Sequence, residues 1–312
     1  MLNLNANKEK LKMQTNLFSG GQKFFEDALA KLNNFEFNEC ITLLNEARSI
    51  DPALANINFF REIAISCKNS GLNPQSTHVE IADIWQELKA RQLELGGASQ
   101  ACVEMLRLFS YRLRELDPFD SKGLLPGCDY FLHESACLLH LKNFQAAHDL
   151  LIDALDQHGE NIPARYWGYL GDAAFAQQNF FEANSAYVKL LAANPFDIDW
   201  ATLKNKALRT LFTEITANFS IKMAYAHLPY RAWSEGIIEI HSGNIFIAEL
   251  LKKFDDSFEQ NNFYDKARNT HIFSLYVFAE QARTRADLMP ERRARMKELN
   301  PELFQEYLQR IA

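Results

Sequence analysis

The sequence predicts an all-α protein, an α-α superhelix of helical hairpins with additional degenerate helices. Three observations favour this fold class. The 312-residue chain has 12 glycines and 9 prolines, few for its length, and is 47% hydrophobic. Its apolar residues recur at the spacing of helices rather than alternating as in strands. A segment with an aromatic residue, an alanine and a closing proline recurs along the chain, as in helical-repeat proteins.

The charge of the chain limits the class of partner. The net charge is -7, whereas nucleic acids and anionic membranes attract clustered lysine and arginine. Residues 1–20 lack the apolar run of a secretory signal, and no stretch reaches the roughly 18 apolar residues that span a membrane. We therefore expect a flexible segment at 1–20, a cytoplasmic location, and neither a nucleic-acid nor a membrane partner.

The cysteines predict neither disulfides nor a metal site. They are scattered, odd in number and never in a C-x-x-C pair. We expect reduced thiols that pack like small apolar residues. The five positions are Cys40, Cys67, Cys102, Cys128 and Cys137.

A repeat organises the first two thirds of the chain. The segments 142–155 and 178–191 align on an Asn-Phe pair and on Ala147 and Ala183, which lie 36 residues apart. A third copy spans 35–52. Proline cannot continue a helix and restricts the residue before it, so four prolines indicate helix ends. These are Pro52, Pro118, Pro195 and Pro301.

The stretch around Gly171 predicts an antiparallel helical hairpin. Asn179 is a good N-cap and Glu182 follows three residues later, as in a capping box. Gly171 and Ala183 are small residues that let the two helices approach. Gly168 and Gly171 lack the spacing of a phosphate-binding loop. The expected core faces contain Tyr166, Trp167, Leu170 and Ala174 on the first helix and Phe180, Ala183, Tyr187 and Leu191 on the second.

This hairpin resembles the tetratricopeptide repeat family, and segments 128–163 and 21–52 resemble it less closely. The matching residues are Trp167, Leu170, Gly171, Ala183, Tyr187 and Pro195. The resemblance implies a repeat domain at 21–217, with a helical insertion at about 53–125 that contains helices near 53–70, 78–95 and 99–117. Helical residues 218–312 then cap or extend the superhelix.

The resemblance also implies a function. Such superhelices bind an extended peptide or a helix in a concave groove lined by first helices. We expect a noncatalytic scaffold or adaptor without a cofactor, although these positions could also be merely exposed or covered by other helices. The carboxylate clamp of co-chaperone members is missing, since Phe25 and Leu29 occupy its places. The implied lining residues are Asp129, Leu132, Ala136, Leu139, His140, Arg165, Gly168, Asp172, Phe175 and Ala176.

Two other groups of residues could carry chemistry. His133, Cys137 and His140 share a helical face and could bind zinc, but no flanking motif supplies a fourth ligand, so we favour packed or surface residues. The arginines of 283–297 have acidic neighbours and no interleaved aromatic residues. They favour a solvated helix face, or an acidic protein segment as partner.

The tract 218–244 breaks the repeat with Pro229, Gly236 and Gly243. The alternative function, an enzyme or an enzyme regulator, would place its site here, because the tract is rich in residue types capable of catalysis. Without a motif, a loop or a swapped arm with a buried tryptophan is the simpler interpretation. The candidate residues are His227, Tyr230, Arg231, Trp233, Glu235, Glu239 and His241.

Overall fold

A computed structural model describes residues 20–54, 56–77, 80–81, 83–84, 134–159, 162–258, 265–284 and 286–312. Within these ranges all regular secondary structure is helical, which confirms the predicted all-α class. The chain divides between Leu141 and Lys142 into two compact units. The predicted segment 1–20, except for its last residue, and most of the helices predicted at 78–95 and 99–117 lie outside the described residues.

The first unit contains a helical hairpin and a third helix packed on it. Its described helices are α1 (20–33), α2 (Phe37–Ile50), α3 (Ile57–Asn69) and α4 (Glu134–His140). Gly21 lets α1 approach the end of α2, because a Cβ atom there would lie 2.9 Å from Asp51 Cβ. The Phe25 and Phe60 rings meet edge to face at 5.5 Å, so α1 also contacts α3.

The second unit is built around one buried helix. Its helices are α5 (Phe144–His158), α6 (Ala164–Ala176), α7 (Phe180–Ala193), α8 (Lys206–Thr216), α9 (Ile221–Ser234), α10 (Ile245–Phe258), α11 (Lys266–Gln281), α12 (Met289–Leu299) and α13 (Pro301–Ile311). Every residue from Thr270 to Glu280 of α11 is buried, and α11 contacts α7, α9, α10 and α12. A helix that is covered on all sides forms the core of its unit.

The three sequence repeats share one turn conformation. The residue before the N-cap of the second helix, which is Phe35, Lys142 or Gln178, has a left-handed φ of 61°, 59° or 65°. In the copy at 178–191 the Asn179 N–H donates to the Ala174 carbonyl at 2.9 Å, which is the hydrogen bond from residue i to residue i−5 of a Schellman motif. The repeat detected in the sequence therefore has a local counterpart in the backbone.

Close packing of α6 on α7 confirms the structural interpretation of the glycines. A Cβ atom on Gly171 would lie 2.7 Å from Tyr187 Cε1. Asn179 caps α7, since its side-chain oxygen accepts from the Glu182 N–H at 3.4 Å. The Glu182 carboxylate in turn accepts from the Asn179 side-chain amide at 2.7 Å, rather than from its backbone.

The interpretation of 218–244 as a loop is wrong for residues 221–234, which form α9. Ser220 caps this helix by accepting from the Met223 N–H, and Pro229 lies inside it. Proline removes one helical hydrogen bond, but α9 packs extensively on α11 and this burial offsets the loss. After α9, the Asn184 side chain exchanges two 2.8 Å hydrogen bonds with the backbone of Glu239.

Candidate functional site

The face of α6 that was predicted to line a groove is covered by the chain's own segment 195–204. Asp197 accepts hydrogen bonds from the Arg165 backbone N–H at 2.9 Å and from Arg165 Nε at 2.7 Å. One helical turn further, the Tyr169 hydroxyl donates to Asp199 at 3.1 Å. The Arg165 side chain is thus held in an ion pair within its own chain.

Asp172 of α6 also contacts segment 195–204, but in the protein interior. It is only 1% exposed, and its Oδ1 accepts from the Tyr187 hydroxyl at 2.8 Å and from the Lys204 N–H at 2.7 Å. Burial raises the pKa of Asp172 to about 6, although these hydrogen bonds act in the opposite direction. The burial contradicts the expected place of Asp172 on an open groove, because segment 195–204 occupies that space.

The other predicted lining residues lie outside the described ranges or are at least partly buried. Asp129 and Leu132 lie outside the described ranges. Leu139 is 1% exposed, which contradicts its expected place on the groove, and His140 is half-buried at the end of α4. Gly168 faces Leu190 across the α6–α7 contact, so it too is a packing residue.

Phe175 belongs to a different surface, the aromatic patch formed by Phe175, Phe180, Phe181 and His241. The Phe175 and Phe180 rings meet edge to face at 5.3 Å, and Phe181 stacks on His241 at 5.0 Å. Phe180 is nevertheless 58% exposed and Phe181 71% exposed. The expected place of Phe180 on the core face of α7 is therefore wrong. The adjacent pair Phe180 and Phe181 was the available signal in the sequence, since two adjacent helical residues cannot both face one core.

Three carboxylates lie close to residues of the aromatic patch in the chain or through one shared contact. Glu182 follows Phe181 and binds His148 at 3.0 Å. Asp149 has an exposed side chain, and Glu239 is exposed two residues before His241. The patch therefore combines apolar rings with an acidic rim.

A pocket of about 510 Å³ lies between α9, α11 and α13. It opens where all three helices begin, because Met223 comes from the first turn of α9, Lys266 from the start of α11 and Leu303 from the first turn of α13. The full lining is Phe219, Met223, His227, Arg231, Lys266, Thr270, Leu299, Asn300, Pro301, Glu302, Leu303 and Glu306.

His227 lies in the wall of this pocket. It is 5% exposed, its ring lies 4.3 Å from that of Phe219, and its buried Nδ1 has no hydrogen-bond partner among the described residues. Burial and, to a smaller extent, the nearby positive charge of Arg231 together lower the pKa of His227 from 6.5 to about 4. The imidazole is therefore neutral at physiological pH.

The charged groups of the pocket are partly paired. Arg231 donates to Glu306 at 2.5 Å, whereas Lys266 makes no ion pair with any residue that the structure describes. The Asn300 amide donates to Thr270 Oγ1 at 3.2 Å and fixes the start of α13 against α11. No pattern in the sequence pointed to Lys266 or Asn300 as site residues.

The remaining candidates of 218–244 are not gathered in the pocket. Tyr230 packs edge to face on Phe273 at 5.5 Å, and Trp233 lies 5.8 Å from Tyr307. Glu235 is exposed at the end of α9. Of the seven candidates of this tract, the pocket lining includes only His227 and Arg231.

The described cysteines are packing residues. Cys40, Cys67 and Cys137 are free and buried, as predicted, and burial raises the pKa of the Cys40 and Cys67 thiols to about 12. Burial likewise raises the pKa of Cys137. His133 lies outside the described ranges, and the described residues contain no cluster of three metal-binding side chains.

Two of the arginines of 283–297, Arg292 and Arg293, do not lie on the predicted solvated face, whereas Arg283 is exposed and Arg285 lies outside the described residues. Arg292 is 9% exposed and donates to the Thr284 carbonyl. Arg293 Nε donates to both carboxylate oxygens of Glu280, at 3.1 and 3.2 Å. Because α11 is buried, Glu280 needs a cationic partner, and α12 supplies it.

No helix in the described ranges has both the length and the apolar character to cross a membrane. Comparison of the chain with family models, with curated proteins and with solved structures finds no match in any of the three. The tetratricopeptide resemblance therefore stays a prediction. The fold and the candidate sites define an all-α protein with repeated helical turns, an exposed aromatic patch and a pocket at three helix starts.

Proposed function

We propose that the chain is a noncatalytic adaptor that binds a segment of a partner protein through the aromatic patch. The observation that carries this proposal is the exposure of Phe180 and Phe181, at 58% and 71%. Aromatic residues that are grouped yet exposed are typical of protein interaction surfaces. Neither ring is needed to start α7, because Asn179 already caps that helix.

The rigidity of the patch supports this proposal. His241, on which Phe181 stacks, follows a backbone that Asn184 holds through two 2.8 Å hydrogen bonds to Glu239. Rings that are already ordered lose little conformational entropy when a partner covers them. Large aromatic anchors of this kind contribute most of the binding free energy at many interfaces.

The acidic rim indicates the chemistry of the partner. Glu182 follows Phe181 and shares His148 with Asp149, Glu239 precedes His241 by two residues, and the whole chain carries a net charge of -7. Complementary charge favours association and orients the partner. We therefore expect the bound segment to have an apolar or aromatic anchor flanked by lysine or arginine.

A displayed library of random peptides tests the proposal. Peptides are selected on the wild-type chain and then measured against the double variant Phe180→Ser, Phe181→Ser and against Ile221→Ser. Ile221 is a matched control because it is 62% exposed, apolar and near the start of a helix.

We expect the enriched peptides to combine apolar and basic residues and to bind Ile221→Ser as tightly as the wild type. Their affinity for the double variant should be at least about tenfold lower, equivalent to about 1.4 kcal/mol. Circular dichroism should show the same helicity for all three chains. Failure to enrich any peptide, or equal affinity for the double variant, would exclude the aromatic patch as the binding surface.

A further inference from the structure

The hydrogen-bonding state of His227 makes the pocket between α9, α11 and α13 a candidate ligand site. Within the described part of the chain, neither ring nitrogen has a hydrogen-bond partner, and Nδ1 is sealed from solvent. A neutral imidazole carries one proton, and a buried N–H without an acceptor is unfavourable. The proton therefore belongs on Nε2, which is left to donate toward the pocket.

The electrostatic surroundings favour an anion at this donor. The N-terminal ends of α9, α11 and α13, helices of 14, 16 and 11 residues, meet at the pocket. Each helix start carries a partial positive charge. Among the side chains, Arg231 and Glu306 pair with each other, and the exposed Lys266 and Glu302 balance in formal charge. Asp265 caps the start of α11 with a carboxylate that also pairs with Lys222, and α12 ends at the pocket with Leu299. The surplus is therefore the positive potential of the starts of α9 and α13, which the end of α12 offsets in part.

The rest of the wall is apolar. Phe219, Met223, Leu299 and Leu303 line the pocket together with the ring of Pro301. Its volume of about 510 Å³ falls in the range of small-molecule sites, which is roughly 300 to 1,000 Å³. Phe219 is 40% exposed beside the pocket and could cover an apolar group of a ligand.

We propose that this pocket binds a small monocarboxylate with an apolar or aromatic body. The carboxylate accepts hydrogen bonds from His227 Nε2 and from the Lys266 ammonium, and the body lies against Phe219 and Met223. This site is independent of the aromatic patch, so the ligand does not depend on the adaptor function.

Isothermal titration calorimetry with a fixed panel of ligands tests this proposal. The panel contains acetate, phenylacetate, indole-3-acetate and octanoate, with phenylacetamide as the uncharged counterpart of phenylacetate. A tripeptide that ends in phenylalanine with a free carboxylate tests whether a chain end serves as well as a free acid. We expect at least one of the three acids with an apolar body to bind, and phenylacetamide to bind at least about tenfold more weakly than phenylacetate.

Single substitutions in and outside the pocket test where the acid binds. Lys266→Ala and His227→Phe should each weaken the bound acid at least about fivefold. Lys206→Ala should leave it unchanged, since Lys206 is also an exposed lysine at the first position of a helix. His227→Phe removes an unpartnered buried nitrogen, so its stability against urea should not fall. The double variant at Phe180 and Phe181 should retain full binding of the acid.

A direct readout uses the histidine ring itself. In the ¹⁵N-labelled protein, the bound acid should shift the Nε2 resonance of His227 but not the ring resonances of His271, whose Nε2 already contacts the Leu191 carbonyl at 3.1 Å. The proposal is overturned if no acid of the panel binds, if phenylacetamide binds as well as phenylacetate, or if Lys206→Ala weakens binding as much as Lys266→Ala. Tighter binding of the tripeptide than of any free acid would identify a chain end as the natural source of the carboxylate.

Discussion

Replacement of Gly171 by alanine tests the packing of α6 on α7 most directly. Alanine favours a helix interior over glycine by about 1 kcal/mol, so an uncrowded site would be stabilised. The new Cβ would however lie 2.7 Å from Tyr187 Cε1 and 2.8 Å from Cδ1, which is too close for either atom to stay in place. Overpacking of this kind typically destabilises by about 1 to 3 kcal/mol.

The Tyr187 ring has little freedom to move away. It is 1% exposed, and its hydroxyl donates to the buried Asp172 at 2.8 Å. Moving the ring would weaken a hydrogen bond to a buried carboxylate, which adds about 1 to 3 kcal/mol to the loss. After subtraction of the gain in helix propensity, we expect Gly171→Ala to lower the free energy of unfolding by about 1 to 5 kcal/mol.

Gly168 provides a matched control one turn earlier in α6. A Cβ atom there would lie 3.2 Å from Leu190 Cδ2, the end of a flexible side chain. Gly168→Ala should therefore be neutral or stabilising by up to about 1 kcal/mol. Urea unfolding of the full chain, followed by far-UV circular dichroism, measures both variants. An equal or higher stability of Gly171→Ala would refute the assigned contact with Tyr187.

Two further perturbations test the turn and the buried histidines. Gln178→Gly should raise the free energy of unfolding by about 0.5 to 1 kcal/mol, because glycine tolerates the left-handed φ at this position. Gln177→Gly should lower it, because Gln177 has a negative φ. A loss of stability in Gln178→Gly would contradict the left-handed turn. Burial lowers the pKa of His271 from 6.5 to about 4, so the unfolded chain binds its proton first and stability falls as the pH decreases from about 6.5 to about 4. The free energy of unfolding of His271→Phe, measured in urea titrations, should therefore fall by about 2 kcal/mol less than that of the wild type between about pH 7 and pH 5. The same pH dependence in both chains would show that His271 does not titrate in this way.

The features that could be predicted from the sequence are local. Asn179 at the start of α7, the small residue Gly171 on α6 and the helical spacing of apolar residues each depend on neighbours within a few positions. The three similar turns were detectable for the same reason. Such signals determine where helices begin, end and approach each other.

The candidate sites depend on contacts between distant parts of the chain. The acidic residues Asp197 and Asp199 gave no sign that they fold back onto α6, because Arg165 and Tyr169 precede them by 32 and 30 residues. The pocket exists only because three helix starts from separate parts of the chain meet. Pro229 suggested an interrupted helix, whereas tertiary packing on α11 overrides that local preference.

The contact of segment 195–204 with α6 also limits what else can pack on that helix. A further hairpin inserted after α7 would need the surface of α6 to which Asp197, Asp199 and the Lys204 N–H are already hydrogen-bonded. Helical-repeat proteins normally end in a capping repeat whose polar outer surface does not pack against a further repeat. We therefore expect a hairpin inserted after α7 to pack on α6 only if segment 195–204 is removed from that surface.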